Sequence, residues 1–179
     1  QQARSRLRNR KATGHDGIPA EVLKELPALL SLVTLLFSTI VATAVYPTQW
    51  GLALIKSLLK PGKPAKEPSS LRGIRLLSRL STWFGQVLDQ RLRGEWTACP
   101  QQFGFKAHVG CLEAVVVLLA LIYSRTRCSQ RLFVVWVDLR TAFPSLDRAI
   151  LVHSLLRQGI SWGYCRLVLA AFDLTVSMP

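Results

Sequence analysis

The sequence predicts an α+β fold, rich in helix, with one basic β-hairpin and one covered central strand. Three observations carry that prediction. Long apolar stretches recur at helical period, two short apolar runs flank a Pro/Gly/Lys loop, and the run LFVVWVDL is apolar on both alternating faces. With 179 residues, half of them apolar, the chain can bury one core, which predicts a single domain or a piece of a larger one.

The N-terminus carries Arg4, Arg6, Arg8, Arg10 and Lys11 as an arm without acids. GHDGIPAE then reads as a turn and a helix start: Asp16-Gly17 supplies the turn, Pro19 suits the first helical position, and Glu21 complements the helix dipole. The helix is expected to run to about Val45, where Tyr46-Pro47 ends it. Within it, Leu26 to Val45 is uncharged over 20 residues, enough to cross a bilayer core of roughly 30 Å. Ser31, Thr34 and Ser38 make a weakly polar stripe, Pro27 sits near the start, and no second span of that length exists. A core helix is therefore preferred, and no stable membrane insertion is expected.

Next, GLALIKSLL and LRGIRLLS are strand-like runs around PGKPAKEPSS, a hairpin with a basic tip. Ser78 is the expected cap of a helix whose Leu80, Phe84, Val87, Leu88, Leu92 and Trp96 share one face. A loop around Pro100 to Gly110 leads to a helix from Leu112 to about Ser124. LFVVWVDL follows as the central strand. Ser145 is the expected cap of a helix through Leu156, with Asp147 in its first turn and Gly159 beyond its end, and a last helix runs from Tyr164 to about Asp173.

Charge narrows the function. A formal net charge of +13 and a pI near 10.5 call for a polyanionic partner, nucleic acid ahead of an anionic membrane. The cations cluster: Lys56, Lys60, Lys63, Lys66, Arg72, Arg75 and Arg79 face only Glu67, whereas a merely solvated surface mixes signs. The N-terminal arm is expected to touch nucleic-acid backbone without reading sequence, or else to trail as a disordered tail. Cys99, Cys111, Cys128 and Cys165 form no CxxC pair and the histidines complete no zinc spacing, so reduced, mostly buried thiols are expected. The arginine-rich start has no apolar run behind it and reads as no signal peptide, and a chain opening on Gln1 without Met reads as a fragment.

Asp138, at the end of the apolar run, is the residue that needs explaining. An ionised carboxylate there must meet water, a cation or strong donors. It can be a turn residue bonded to backbone N–H groups or paired with Arg140, a general base, or a ligand of Mg²⁺, which prefers carboxylate oxygen. Phe143, five residues on, precedes Pro144, which bars a helix directly after the strand and lets Asp and Phe project into one cleft.

Here the sequence resembles the reverse transcriptases of non-LTR retrotransposons. VDLRTAF is similar to the family's first catalytic motif, KATGHDGIPAEVLK to its KAPGPDGIP segment, ALIKSLLKPGKP with LRGIRLLS to its fingers hairpin, and QFGFKAHVGC to its QxGFRxGxS segment. The matches occur in the family's order over about Lys11 to Gly159. The resemblance implies a helix-rich fingers region and the first part of a palm: an arm over 1–12, fingers over about 13–131 and palm from about 132 to 179. It implies RNA template, DNA primer and deoxynucleoside triphosphates as partners and Mg²⁺ as cofactor. It makes Asp138 the catalytic metal ligand with the Leu139 carbonyl beside it, and Phe143 the gate against a 2′-hydroxyl. Lys60 and Arg72 become the grip on the incoming triphosphate, with Lys63 as helper.

The chain departs from the pattern in three places. Pro144 stands where the family commonly has Asp, His15 replaces a proline in the turn, and Arg72, Gly73, Ile74 and Arg75 replace RPIS, which adds charge and is expected to loosen the strand. Two-metal transfer holds its ions roughly 4 Å apart and needs several carboxylates. None of the ten acids is adjacent to another, and the family's later Asp-Asp motif and the glycine- and glutamine-containing motif before it are absent. Asp147 and Asp173, expected on helices, are poor substitutes. The sequence thus reads as an incomplete polymerase, inactive alone, or as a non-catalytic nucleic-acid-binding remnant.

Overall fold

The computed structural model describes residues 2–62, 64, 66–97, 99–139 and 145–176. They divide into two units, residues 1–95 with 152–179, and residues 96–151.

The first unit begins with the short helix α1 (Gln2–Ser5), whose Ala3, with Leu7 just beyond it, is buried in the core. The arm is therefore docked and is no disordered tail. Two apolar side chains at four-residue spacing are enough to tie it down, and three polar contacts add to them. Arg4 donates to the Lys24 carbonyl, Lys24 Nζ donates to Asn9 Oδ1 at 2.7 Å, and the Arg10 N–H donates to Glu21 Oε1 at 2.6 Å. Asp16 and Gly17 make the expected turn: Gly17 sits at φ +65°, its N–H bonds Gly14, and Asp16 Oδ1 accepts from the Ile18 N–H at 3.2 Å.

The single helix expected up to Val45 is two helices, α2 (Ala20–Glu25) and α3 (Leu29–Thr43). Pro27 is the cause. It has no N–H to donate back into the helix, and it drives Leu26 out of helical geometry to φ −103°, ψ +87°. In α3, Val33 and Ile40 are buried and Phe37 packs on both core clusters, while Leu32 and Leu35 are about two-thirds exposed. The hydroxyls of Thr34, Thr39 and Thr43 donate to carbonyls four residues back. Among the described residues no helix is long and apolar enough to cross a membrane.

A short 3-10 turn (Thr48–Gly51) leads to the hairpin of β1 (Leu54–Leu59) and β2 (Leu71–Leu76). The helix α4 (Arg79–Glu95) follows, with Trp83 and Phe84 buried and Leu80, Val87 and Leu88 packed beside them. Ser78 does not cap α4. Its Oγ is buried without a hydrogen-bond partner, and the Gly14 backbone packs close against this segment: a Cβ on Gly14 would lie 2.6 Å from the Ser78 nitrogen. Phe37 meets Trp83 and Phe84 edge-on, with ring centroids 5.5 and 5.0 Å apart, and joins the two halves of the core. The helix α7 (Trp162–Val176) completes the unit through Leu167 and Leu174.

In the second unit no described residue is buried. The helix α5 (Cys111–Arg127) is held at its start by Glu113, which accepts from the Gly110 N–H at 2.7 Å, and it runs beyond the expected Ser124. Residues 131–139 form no strand, contrary to the sequence expectation, and Phe133, Val135, Trp136 and Val137 are each more than 80% exposed. A covered central strand needs a ladder on its edges, and the two strands among the described residues are already paired with each other.

The unit boundary falls inside α6 (Arg148–Arg157). Asp147, not Ser145, caps this helix: its Oδ1 accepts from the N–H groups of Ala149 at 2.7 Å and Ile150 at 3.1 Å. Gly159 ends it at φ +81°, where Gly159 donates to the Leu156 carbonyl and buried Ile160 to that of Leu155. The thiols also depart from expectation. Cys99, Cys111 and Cys128 are exposed and free; only Cys165, on α7, is buried, and that burial pushes its pKa up.

Candidate nucleotide and nucleic-acid site

The hairpin sets out its cations by register. Leu58 pairs with Arg72, Ser57 with Gly73 and Lys56 with Ile74, so Lys56 and Arg72 lie on one face of the ribbon and Arg75 on the other. Lys60 continues the ladder by one step, its N–H donating to the Ser70 carbonyl at 2.8 Å. Two residues past Leu58, it falls on the Arg72 face as a diagonal neighbour, about 7–8 Å away along the ribbon. The ladder runs unbroken through Gly73, so the pairing is kept across the residues that replace RPIS. Both strands keep exposed apolar residues, Ile55 and Leu59 among them.

Between the strands, Gly62 takes φ +71°, a value that glycine adopts freely, and a second 3-10 turn (Pro68–Ser70) is closed by the Ser70 N–H on the Glu67 carbonyl at 2.9 Å. Ser70 is buried, and its Oγ has no partner. The sequence gives no sign of this, since nothing in PSS separates this serine from an ordinary loop residue. Lys63 lies outside the described residues.

A second basic surface lies between the docked arm and α4. Arg6, Arg8 and Lys11 are exposed there, whereas Arg4, also expected to meet nucleic acid, is half-buried and turned onto the Lys24 carbonyl. Arg10, at φ +53°, uses its backbone N–H to hold Glu21, and that hydrogen bond keeps the Glu21 carboxyl below its ordinary pKa.

Asp138 and Leu139 belong to the second unit, on the exposed segment 131–139, and Asp138 has no ion-pair partner among the described residues. Arg140, Phe143 and Pro144 lie outside the described residues. Among the described residues no three His, Cys, Asp or Glu side chains gather where a metal ion could be held, and Asp147 is spent on capping α6. The acids present therefore do not fit a two-metal centre.

Comparison with known proteins identifies the lineage. No protein-family model matches the chain. It is 37% identical over 146 residues to the probable RNA-directed DNA polymerase from transposon X-element of Drosophila melanogaster, a match covering 77% of this chain and 16% of that protein. It is 32% identical over 139 residues to the probable RNA-directed DNA polymerase from transposon BS of the same fly, covering 75% of this chain and 15% of the relative. A third match, 34% identical over 105 residues, is to the putative 115 kDa protein in the fly's type-1 retrotransposable element R1DM, covering 57% of this chain and 10% of that one. The chain thus spans a minor part of each relative's length. Over about three quarters of its length this chain is thus homologous to a part of the RNA-directed DNA polymerases of non-LTR retrotransposons.

Proposed function

We propose that this chain supplies the fingers, over about 13–131, and the first part of the palm, from about 132, of a reverse transcriptase that copies RNA into DNA. The observation that carries this reading is the placement of Lys56, Lys60 and Arg72 on one face of the hairpin. Paired strands present long cationic side chains in parallel, and a guanidinium beside ammonium groups suits a polyphosphate: Arg grips two oxygens in its planar fork while Lys supplies a mobile point charge. In this reading Lys60 and Arg72 hold the triphosphate of the incoming deoxynucleotide, Lys63 assists, and Phe143 screens against a 2′-hydroxyl. Arg6, Arg8, Arg10 and Lys11 contact the backbone of the RNA template. Asp138, with the Leu139 carbonyl, is the share of a Mg²⁺ site that this chain contributes.

Because the described acids do not make a two-metal centre, nucleotidyl transfer is not assigned to this chain alone. Two measurements test the reading. Deoxynucleoside triphosphate should bind the isolated chain, and Lys60→Ala and Arg72→Ala should each weaken binding by about 10- to 100-fold, since each removes a hydrogen bond to a charged group. Primer extension with Mg²⁺ should be absent. Robust extension would sink the claim of incompleteness, and triphosphate binding indifferent to both substitutions would sink the hairpin assignment. The basic arm and hairpin also suit one other reading, a nucleic-acid-binding remnant without nucleotide chemistry; salt-dependent RNA binding with no triphosphate binding at all would select it.

A further inference from the structure

The helices α1, α3 and α4 leave an open hollow of about 410 Å³ between them, with Ala3 at its wall from α1. Sequence spacing makes the rest of that wall. Val33, Phe37 and Val41 recur at i, i+4 and i+8 on α3, and Trp83, Val87 and Arg91 do the same on α4, so each helix turns one stripe toward the hollow. Close-packed interiors leave few voids larger than a water molecule, whereas pockets for small ligands hold roughly 300–1,000 Å³. This hollow is of the second kind. A shallower trough over Pro27 and Leu35 continues it, sharing Leu30, Thr34 and Ser38, so the space is elongated.

Two polar groups on the wall are uncommitted. No carboxylate lines the hollow among the described residues, and the exposed Arg91 makes no hydrogen bond or ion pair with any of them. On α3 the hydroxyls of Ser31, Thr34, Thr39 and Thr43 each donate to a carbonyl three or four residues back, but that of Ser38 has no partner among the described residues. These groups and the apolar stripes select a ligand. Arg91 repels a cation, a neutral hydrocarbon leaves its charge unused, and a compact inorganic anion leaves the apolar wall uncovered. A molecule with an apolar chain and one acidic head uses both.

We propose that the hollow binds a single-chain amphipathic anion of the fatty-acid kind. The chain lies against Val33, Phe37, Trp83 and Val87, the carboxylate meets the guanidinium fork of Arg91, and the Ser38 hydroxyl donates to a ligand oxygen. None of the cations assigned to triphosphate or RNA takes part, so this site goes beyond the polymerase reading and stands or falls independently of it.

The test is isothermal titration calorimetry of the full chain with decanoate and with decanol, which has the same chain length and no charge. Decanoate should bind at a single site, about tenfold more tightly than decanol. Arg91→Met, at an exposed position and keeping an apolar stem, should weaken decanoate about tenfold and leave decanol unchanged. Ala42→Phe, also exposed and on the wall, fills the hollow and should weaken both ligands about tenfold or more. Equal affinity for decanoate and decanol, or decanoate binding that survives Arg91→Met, overturns the proposal. Binding at several sites that Ala42→Phe leaves untouched also overturns it, and places the chains on the exposed apolar run of 131–139. A dimer of the free chain in analytical ultracentrifugation, broken by Ala42→Phe, gives the hollow to a second copy instead.

Discussion

Tyr46 packs half-buried against Phe84 and Trp50, with ring centroids 5.6 and 6.1 Å away, and its hydroxyl donates to the Leu167 carbonyl at 3.0 Å. Burial pushes its pKa up to about 12 from 10.0. A pKa raised by folding contributes stability that is intact below the unfolded value, near pH 10, and disappears as pH climbs through the folded one, near 12. Tyr46→Phe should therefore cost about 1 kcal/mol at neutral pH, from removal of the hydrogen bond, and reduce the fall in stability between those two values. Urea unfolding of both proteins at neutral and alkaline pH measures this; an alkaline fall of equal size in the variant would show that the phenol is not its source. At this scale residue type is legible in the sequence and role is not. Locally Tyr46 reads only as a helix terminator, because its contact with Leu167 spans 121 residues of sequence.

The elements show where local rules suffice. The hairpin is legible because Pro61, Gly62 and Pro64 punctuate two apolar runs, and its observed register lets Lys60, Lys56 and Arg72 share a face. The end of α6 is legible too, as Gly159 meets the need for positive φ. Its start is not. Ser145 and Asp147 are both good caps two residues apart, and only the phase of the helix decides which oxygen reaches the free N–H groups. Asp147→Ala should cost α6 about 1 kcal/mol and raise amide exchange at Ala149 and Ile150, whereas Ser145→Ala should leave those amides unchanged. Protection at both amides surviving Asp147→Ala would refute the assignment. Pro27 argues in the sequence against a membrane span, yet its larger effect is to cut one expected helix into two.

For the whole molecule, burial separates the two units. The buried described residues lie in residues 1–95 with 152–179, while 96–151 exposes Phe133, Val135, Trp136 and Val137 in an extended run. Limited proteolysis should therefore cut first within 128–139, near Arg131, and leave the first unit intact longer; early cleavage inside α3 or α4 instead would contradict this picture. By itself the sequence determined the lineage, the α+β class, the basic hairpin and the identity of the cations, because these depend on residue type and on neighbours a few positions away. Tertiary structure alone decided that the arm is docked, that Arg79 and Gln86 face a groove with Arg6, Arg8 and Lys11, and that LFVVWVDL is not a strand. The physical reason is the same in each case. Docking, a shared groove and a ladder all require partners far away in the chain, and a pattern of apolar residues states a need for cover without saying what meets it.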